Sequence, residues 1–230
     1  MSNDDVVLDL HPQGSLEIDC VENGPIRTNT YFVVSGDEAV VIDPAHDGVE
    51  LARHFAQAHP HVHIRALIAT HAHADHIGGV AGMRRVLGAD VPFCISEKDA
   101  AFIPAALESM RELWGIHTED PGAPDRLLRE GDELCVGTAR LQVIETPGHT
   151  KGGIVLFSAA QAGNVAFVGD TLFPGSHGRT DLEGGDEAEI QKSLAKMARV
   201  LPQDTVCLIG HGPITTIADE LVSNPFMCHI

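Results

Sequence analysis

The side chains best suited to chemistry are concentrated in one short stretch, residues 70–76, which reads THAHADH. It holds His71, His73, Asp75 and His76, and it follows an apolar run that is typical of a buried strand. Neutral imidazole and carboxylate groups suit zinc, iron(II) and manganese, and loops at strand ends commonly carry such sites. If the loop stays extended, its side chains alternate, with His71, His73 and Asp75 on one side and the fourth ligand on the other. This one loop could therefore serve two metal ions.

Three further candidate ligands stand where later predicted strands end. These strands lead into turns that carry His149, Asp170 and His211, and a glycine stands directly beside each of the three. A carboxylate at the end of a buried strand is costly unless it is paired or bound to a metal, which makes Asp170 a good ligand candidate. We therefore expect one metal site, assembled from residues 70–76 and these three turns, at a single edge of two sheets.

The elements that must position these residues are predicted strands and helices within 230 residues. Apolar residues make up 43 % of the chain, which is enough for a sizeable core, and we expect one domain spanning residues 1–230. Phe102–Trp114 predicts a helix that is broken at Pro104. Prolines and glycines in residues 115–124 predict a loop, which we interpret as a surface connection, with a lid over the substrate as the alternative.

Charge and composition limit the partners of the protein. The formal charge of -18 argues against nucleic acid or an anionic membrane as a partner. No apolar run approaches the ~18 residues of a membrane-spanning helix, and the acidic start of the chain lacks the features of a signal peptide. Five dispersed cysteines without a CxxC pair fit a reducing compartment, and we interpret them as small buried apolar side chains. We therefore expect a cytoplasmic protein that acts on a small molecule, with its oligomeric state left open.

Taken in order, these motifs resemble those of the metallo-β-lactamase superfamily. The resemblance rests on residues 70–76, on PGHT at 147–150, on GD at 169–170 and on GHGP at 210–213. Within that superfamily the chain most resembles the glyoxalase II-like branch, because of GDTLF at 169–173, GRTD at 178–181 and NPF at 224–226. The resemblance implies an α/β fold, a four-layer αββα sandwich in which two mixed sheets pack face to face between outer helices.

The same resemblance implies two divalent metal ions, with zinc preferred to iron or manganese. The residues that match the family's ligands fall into two sets of three and one shared carboxylate. The first set is His71, His73 and His149, the second is Asp75, His76 and His211, and the shared carboxylate, which would bridge the two ions, is Asp170.

The reaction implied for this branch is hydrolysis of a thioester, such as S-lactoylglutathione, by a hydroxide activated between the ions, with Asp75 orienting it. Thr150 and Arg179 are candidate partners of the ligating imidazoles. Lys151 and Arg179 are candidates for binding the substrate, although a solvated lysine and a loop-stabilising arginine are the alternatives. The helical domain that supplies much of the glutathione pocket in full-length members of the branch has no counterpart in this sequence, so the thiol carrier stays open.

Two other enzyme classes remain open. Persulfide dioxygenases resemble the chain in most of the same motifs and hold a single iron with residues that match His71, His149 and Asp170. The ending GHGP at residues 210–213 favours the hydrolases over that class. A lactonase or β-lactamase is less favoured, because no specific feature of the sequence points to either. A non-catalytic binding protein is the least favoured reading, since every expected ligand is present.

Overall fold

The structure is a computed structural model that describes residues 6–228. Its strands are β1 Glu17–Asn23, β2 Thr28–Ser35, β3 Glu38–Ile42, β4 His63–Ile68, β5 Phe93–Ser96, β6 Arg126–Leu128, β7 Glu133–Val136, β8 Ala139–Glu145, β9 Ile154–Ala160, β10 Gly163–Gly169, β11 Leu172–Phe173, β12 Ser176–His177, β13 Val206–Ile209 and β14 Thr215–Thr216. Its helices are α1 Gly48–Ala58, α2 Ala74–Ile77, α3 Val80–Leu87, α4 Glu97–Ala100, α5 Ile103–Trp114, α6 Glu187–Val200 and α7 Ile217–Ser223. Within this part of the chain, no helix combines the length and the apolar character needed to cross a membrane.

Most of the strands form two six-stranded mixed sheets. The first sheet has the order β1-β2-β3-β4-β5-β6, in which β3 to β6 are parallel and the pairs β1-β2 and β2-β3 are antiparallel. The second has the order β14-β13-β10-β9-β8-β7, in which β10 and β13 are parallel and the other described pairs are antiparallel. Strands β11 and β12 pair with each other as a separate hairpin.

Three apolar layers hold the sheets and helices together. Helices α1, α3 and α5 cover the outer face of the first sheet, where the rings of Phe32 and Phe55 stack with centroids 4.7 Å apart. Between the sheets, Tyr31 and Phe167 meet edge to face at 5.4 Å. Helices α6 and α7 cover the outer face of the second sheet through residues such as Leu194. The α/β fold and the αββα order of layers expected from the sequence are confirmed.

One edge of the two sheets collects the ends of the strands that carry polar residues. Parallel strands β3, β4 and β5 all end at this edge, with Ile42 paired to Ile68 in register. Parallel strands β10 and β13 of the second sheet end beside them. The Tyr31 hydroxyl on β2 joins the sheets there by donating a hydrogen bond to the carbonyl of Ile209 on β13, at 2.7 Å. The sequence correctly predicts a single edge at which the candidate ligands meet.

Two local expectations are wrong. Helix α5 runs from Ile103 to Trp114 without a break, because Pro104 lies in its first turn, where the main-chain N–H would lack a helical partner in any case. The cysteines are not all buried, since Cys20 and Cys135 lie on exposed positions of strands β1 and β7.

Candidate metal centre

The histidine loop leaves β4, bends at Thr70 and His71, and turns into the short helix α2 directly after His73. This helix changes the direction of the side chains that follow. The alternation expected for an extended loop, with Asp75 beside His71 and His73, is therefore wrong. Asp75 instead lies with His76 and His211. The loop still supplies two groups of ligands, as its composition suggested.

The first group consists of His71, His73 and His149. Nε2 of His71 lies 3.1 Å from Nδ1 of His73. The ring of His149, carried by the turn after β8, has its centroid 4.8 Å from that of His71 and 4.6 Å from that of His73. One potential ligand atom from each residue lies within 4.8 Å of the other two. These three imidazoles have the chemistry and spacing to share one metal ion.

The second group consists of Asp75, His76 and His211. Oδ2 of Asp75 lies 3.2 Å from Nε2 of His76 and 3.2 Å from Nε2 of His211. The Thr28 hydroxyl donates a hydrogen bond to the same carboxylate oxygen at 3.0 Å. Nδ1 of His211 faces the main-chain carbonyl of Arg27 at 3.3 Å, which leaves Nε2 directed at the carboxylates. This group pairs two imidazoles with one carboxylate.

Asp170 lies between the two groups. Its Oδ1 is 3.5 Å from Nε2 of His76, and its Oδ2 is 3.6 Å from Nε2 of His149 and 3.5 Å from Nε2 of His211. The carboxylate therefore faces residues of both groups at once. This is the position that a bridging ligand requires.

Several polar atoms at this place are buried without a hydrogen bond. They are Nε2 of His76, Nε2 of His149 and Oδ1 of Asp170. Buried polar atoms almost always have a partner, so three orphaned atoms that face one another need an explanation. Imidazole nitrogen and carboxylate oxygen are ligands of divalent transition metals, and an ion between them would satisfy all three atoms. The residues thus fit the metal ions that the sequence motifs imply.

The charges of the centre also suit cations. Burial, reinforced by His149, lowers the pKa of His73 to about 3, so its imidazole is neutral and has a free lone pair. Burial alone would raise the pKa of Asp170, but neighbouring imidazoles, His76 foremost, outweigh it and lower the pKa to about 2. Burial alone would lower the pKa of His211, but hydrogen bonds to two carboxylates raise it to about 10, so a metal ion that binds here must displace its proton. The carboxylates therefore stay ionised and attract positive charge.

Asp43, at the end of β3, supports the second group and was not predicted as a functional residue. Its side chain is buried and accepts hydrogen bonds from the Thr70 main-chain N–H at 2.7 Å and the Thr70 hydroxyl at 2.9 Å. Its Oδ2 also lies 2.9 Å from Nδ1 of His76. A carboxylate in this position fixes the imidazole so that the opposite nitrogen faces the centre.

Asp99, in helix α4 after β5, was also missed and supports the first group. It is fully buried and accepts hydrogen bonds from the main-chain N–H of Ala72 at 2.9 Å, the hydroxyl of Thr150 at 2.7 Å and the main-chain N–H of Gly152 at 2.6 Å. One carboxylate thereby ties the histidine loop to the turn that carries His149. Both aspartates stand at or just beyond the ends of parallel strands that reach the site, which is the signal that could have found them.

Of the residues predicted to assist the ligands, Arg179 acts through its main chain. Its carbonyl oxygen lies 2.7 Å from Nδ1 of His149, while its exposed guanidinium forms two hydrogen bonds of 2.7 Å with Asp181. Thr150 contacts Asp99 and not a ligating imidazole. Lys151 is exposed, and it is not among the residues that line the cavity beside the centre.

A cavity of about 160 Å³ opens beside the centre. His73, Asp75, His149, Asp170 and His211 are among the residues that line it, and helix α5 supplies another part of its wall. No residue of the loop 115–124 lines this cavity. The candidate ligands therefore face a space in which a small molecule can bind.

Gly210 has no room for a side chain, and this gives a first testable prediction. A Cβ at this position would overlap Oδ1 of Asp170 and come within 2.8 Å of Cε1 of His76. Gly210→Ala should therefore displace the shared carboxylate and weaken metal binding by roughly 10- to 100-fold, the range seen when ligands lose their support. Competition with a chromophoric chelator measures this affinity.

Gly212→Ala is the matched control, since it lies in the same loop and its Cβ would meet open space. Its positive φ of 90° costs backbone strain of about 1–2 kcal/mol but brings no overlap with a ligand. Equal metal affinities for the two variants would contradict the assigned role of Asp170.

With this geometry established, comparison with known proteins identifies the family. A family model described as the metallo-beta-lactamase superfamily matches residues 23–211, well over half of the chain. The chain belongs to the metallo-beta-lactamase superfamily. The resemblance carried by the sequence motifs is thereby confirmed, and the match spans the whole metal centre.

Members of the superfamily that are similar to this chain differ in the activity for which they are named. Hydroxyacylglutathione hydrolase GloC of Haemophilus influenzae is 32 % identical over 190 residues, which cover 82 % of this chain and 87 % of the relative. The solved structure of BLEG-1 B3 metallo-beta-lactamase is 34 % identical with a TM-score of 0.82, covering 92 % of this chain and 99 % of that one. TTHA1623, solved in a di-iron-bound form, is 35 % identical with a TM-score of 0.81, and the match covers 90 % of this chain and 99 % of that one.

Proposed function

We propose that this protein is a binuclear metal-dependent hydrolase that cleaves thioesters. The observation that carries the proposal is the position of Asp170, which faces two groups of three potential ligands at the side of one cavity. A shared carboxylate between two such groups is the arrangement expected for a pair of ions, each with a position left for water or substrate.

Two divalent ions at these residues would supply a hydroxide nucleophile near neutral pH and polarise the carbonyl of the substrate. The chain's own residues have three tasks around them. His71, His73 and His149 supply nitrogen ligands, and His149 is oriented by the Arg179 carbonyl. Asp75, which lines the cavity and accepts a hydrogen bond from Thr28, is placed to orient the attacking group.

A nucleophilic cysteine is not needed for this mechanism. Cys94 and Cys207 are buried, and burial raises their pKa values to about 11 and about 12. Thiols with pKa values this high are inert at neutral pH. No cysteine among the described residues lines the cavity, so hydrolysis by covalent thiol catalysis is disfavoured.

The choice of a thioester is supported by the similarity to GloC, which is named as a hydroxyacylglutathione hydrolase. The alignment covers 87 % of that relative, so a protein named for this activity has about the length of this chain. An additional large domain is therefore no requirement for thioester hydrolysis. The similarity to BLEG-1 favours hydrolysis of a β-lactam as the second candidate.

A panel of assays on one metal-loaded preparation tests the proposal. We expect turnover of S-lactoylglutathione or of neutral acyl thioesters, abolished by a chelator and restored by zinc, iron(II) or manganese. Oxygen uptake with glutathione persulfide and one iron per chain would instead establish the dioxygenase, and β-lactam turnover alone would establish the second candidate.

His211→Ala separates a two-ion hydrolase from a one-iron oxygenase. It removes a ligand of the second group, so we expect thioester turnover to fall by more than about 100-fold. An oxygenase that uses His71, His149 and Asp170 would retain its activity in this variant. The exposed His61→Ala is the control for loss of a histidine elsewhere, and its turnover should match that of the parent.

A further inference from the structure

Helix α5 supplies one wall of the cavity, and this wall is mostly apolar. It includes Met110 and, one turn later, the consecutive residues Leu113 and Trp114. Leu113 and Trp114 are large apolar side chains, yet they are 60 % and 55 % exposed to solvent. Ile26 and Leu182 add further apolar surface to the cavity. Large apolar side chains gathered in an open cavity mark a site for an apolar ligand group.

The cavity offers little to a charged carrier. Among the described residues that line it, Arg179 is the single lysine or arginine, and its guanidinium is already bonded twice to Asp181. Arg27, next to the lining residue Ile26, is paired with Glu22 at 2.9 Å. Glutathione carries two carboxylates, and these two guanidiniums would attract them only weakly, because Asp181 and Glu22 already offset their charge. Carboxylates in a chain of formal charge -18 also repel an anionic ligand.

We propose that the substrate carries an uncharged apolar group, such as an alkyl chain of several carbons, that packs against Met110, Leu113 and Trp114 while its scissile carbonyl faces the metal centre. This inference rests on the proposed hydrolase function and names the class of its substrate. The thiol or acyl group that reaches the wall is bound by apolar contact and not by ion pairing.

Kinetics with neutral thioesters test the proposal. In one series the acyl chain grows from acetyl to octanoyl on N-acetylcysteamine, and in a second the acyl group stays acetyl while an alkyl thiol grows. We expect kcat/KM to rise by roughly threefold per methylene in one of the series until the wall is covered. A rise in either series supports the proposal and identifies the group that contacts the wall, whereas a flat response in both overturns it.

Leu113→Ser should flatten this dependence, because it replaces an apolar contact by a polar one at an exposed position that tolerates the change. Val222→Ser is the matched control, since Val222 is 83 % exposed on α7 and does not line the cavity. The control should retain the chain-length dependence of the parent. Loss of the dependence in both variants, or in neither, would contradict the role of α5.

A binding measurement separates this inference from the proposed function. Trp114 is the only tryptophan in the sequence, so its fluorescence reports directly on the wall. S-alkyl thioethers of N-acetylcysteamine, from butyl to octyl, cannot be hydrolysed and should bind more tightly with each methylene and shift the emission to the blue. This result, together with no thioester turnover, would retain the apolar site and reject the hydrolase. Thioester turnover with unchanged tryptophan emission would retain the hydrolase and reject the apolar site.

Discussion

Asp170→Asn is expected to lose metal from both groups of ligands at once and to reduce hydrolysis by more than about 100-fold, beyond what loss of a supporting residue costs. The amide keeps the size of the carboxylate but loses its charge. Its nitrogen would face either the orphaned Nε2 of His76 or the imidazoles of His149 and His211. Metal content per chain, measured after dialysis, should therefore fall together with turnover.

Asp204→Asn is the matched control for this variant. Asp204 is exposed and accepts a hydrogen bond from the side-chain amide of Asn164 at 2.9 Å. This pair lies where the parallel strands β10 and β13 begin, at the ends of these strands that are remote from Asp170. Its replacement should leave metal content and turnover unchanged. If Asp170→Asn kept two tightly bound ions, the bridging role of this residue would be wrong.

Asp99→Ala is expected to destabilise the fold and to weaken metal binding at the first group. It leaves three buried donors without an acceptor, on Ala72, Thr150 and Gly152, and each unsatisfied donor costs about 1–3 kcal/mol. It also unties the histidine loop from the turn of His149, so affinity for metal should fall by roughly 10- to 100-fold. Denaturant unfolding and chelator competition measure the two effects separately.

Asp120→Asn gives the comparison, since Asp120 is exposed and bonds only to the neighbouring Gly122 N–H in the described contacts. It should change neither quantity. Burial raises the pKa of Asp99, and its three hydrogen bonds offset this rise only in part. Keeping this carboxylate buried therefore costs free energy. Unchanged metal affinity in Asp99→Ala would show that Asp99 stabilises the fold and does not support the metal site.

The family resemblance predicts the αββα layers, and local patterns in the chain predict where the candidate ligands lie. Apolar strands that end in a glycine and a polar residue are visible in the chain, and parallel strands bring such ends together. Asp170 and His211 could therefore be placed at one edge without the structure. The superfamily resemblance supplied the division of the seven residues into two groups of three and one shared carboxylate.

What the sequence could not predict depends on the exact path of the chain. Helix α2 begins within the histidine loop, and this one turn places Asp75 in the second group, as the family resemblance implied and the alternation of an extended loop did not. In the sequence, Asp43 looks like the end of a strand, and Asp99 looks like an acidic residue in the first turn of a helix. Their hydrogen bonds join residues that are 27 to 53 positions apart. Contacts over such separations leave no periodic pattern in the chain.

The NPF ending of the described chain has a role that only the structure reveals. The Asn224 amide donates to the carbonyl of Ser176 at 2.9 Å, and the ring of Phe226 meets His177 edge to face at 4.3 Å. The hairpin β11–β12 is thereby held against α7, and the chain that follows it supplies the Arg179 carbonyl to His149. The motif thus supports the metal centre from a distance.

The central claim is that two ions share Asp170, and anomalous diffraction from crystals soaked in excess zinc tests it most directly. We expect two peaks, one among His71, His73 and His149 and the other among Asp75, His76 and His211. A single fully occupied peak, or zinc bound away from these residues, would contradict the binuclear centre and the mechanism proposed from it.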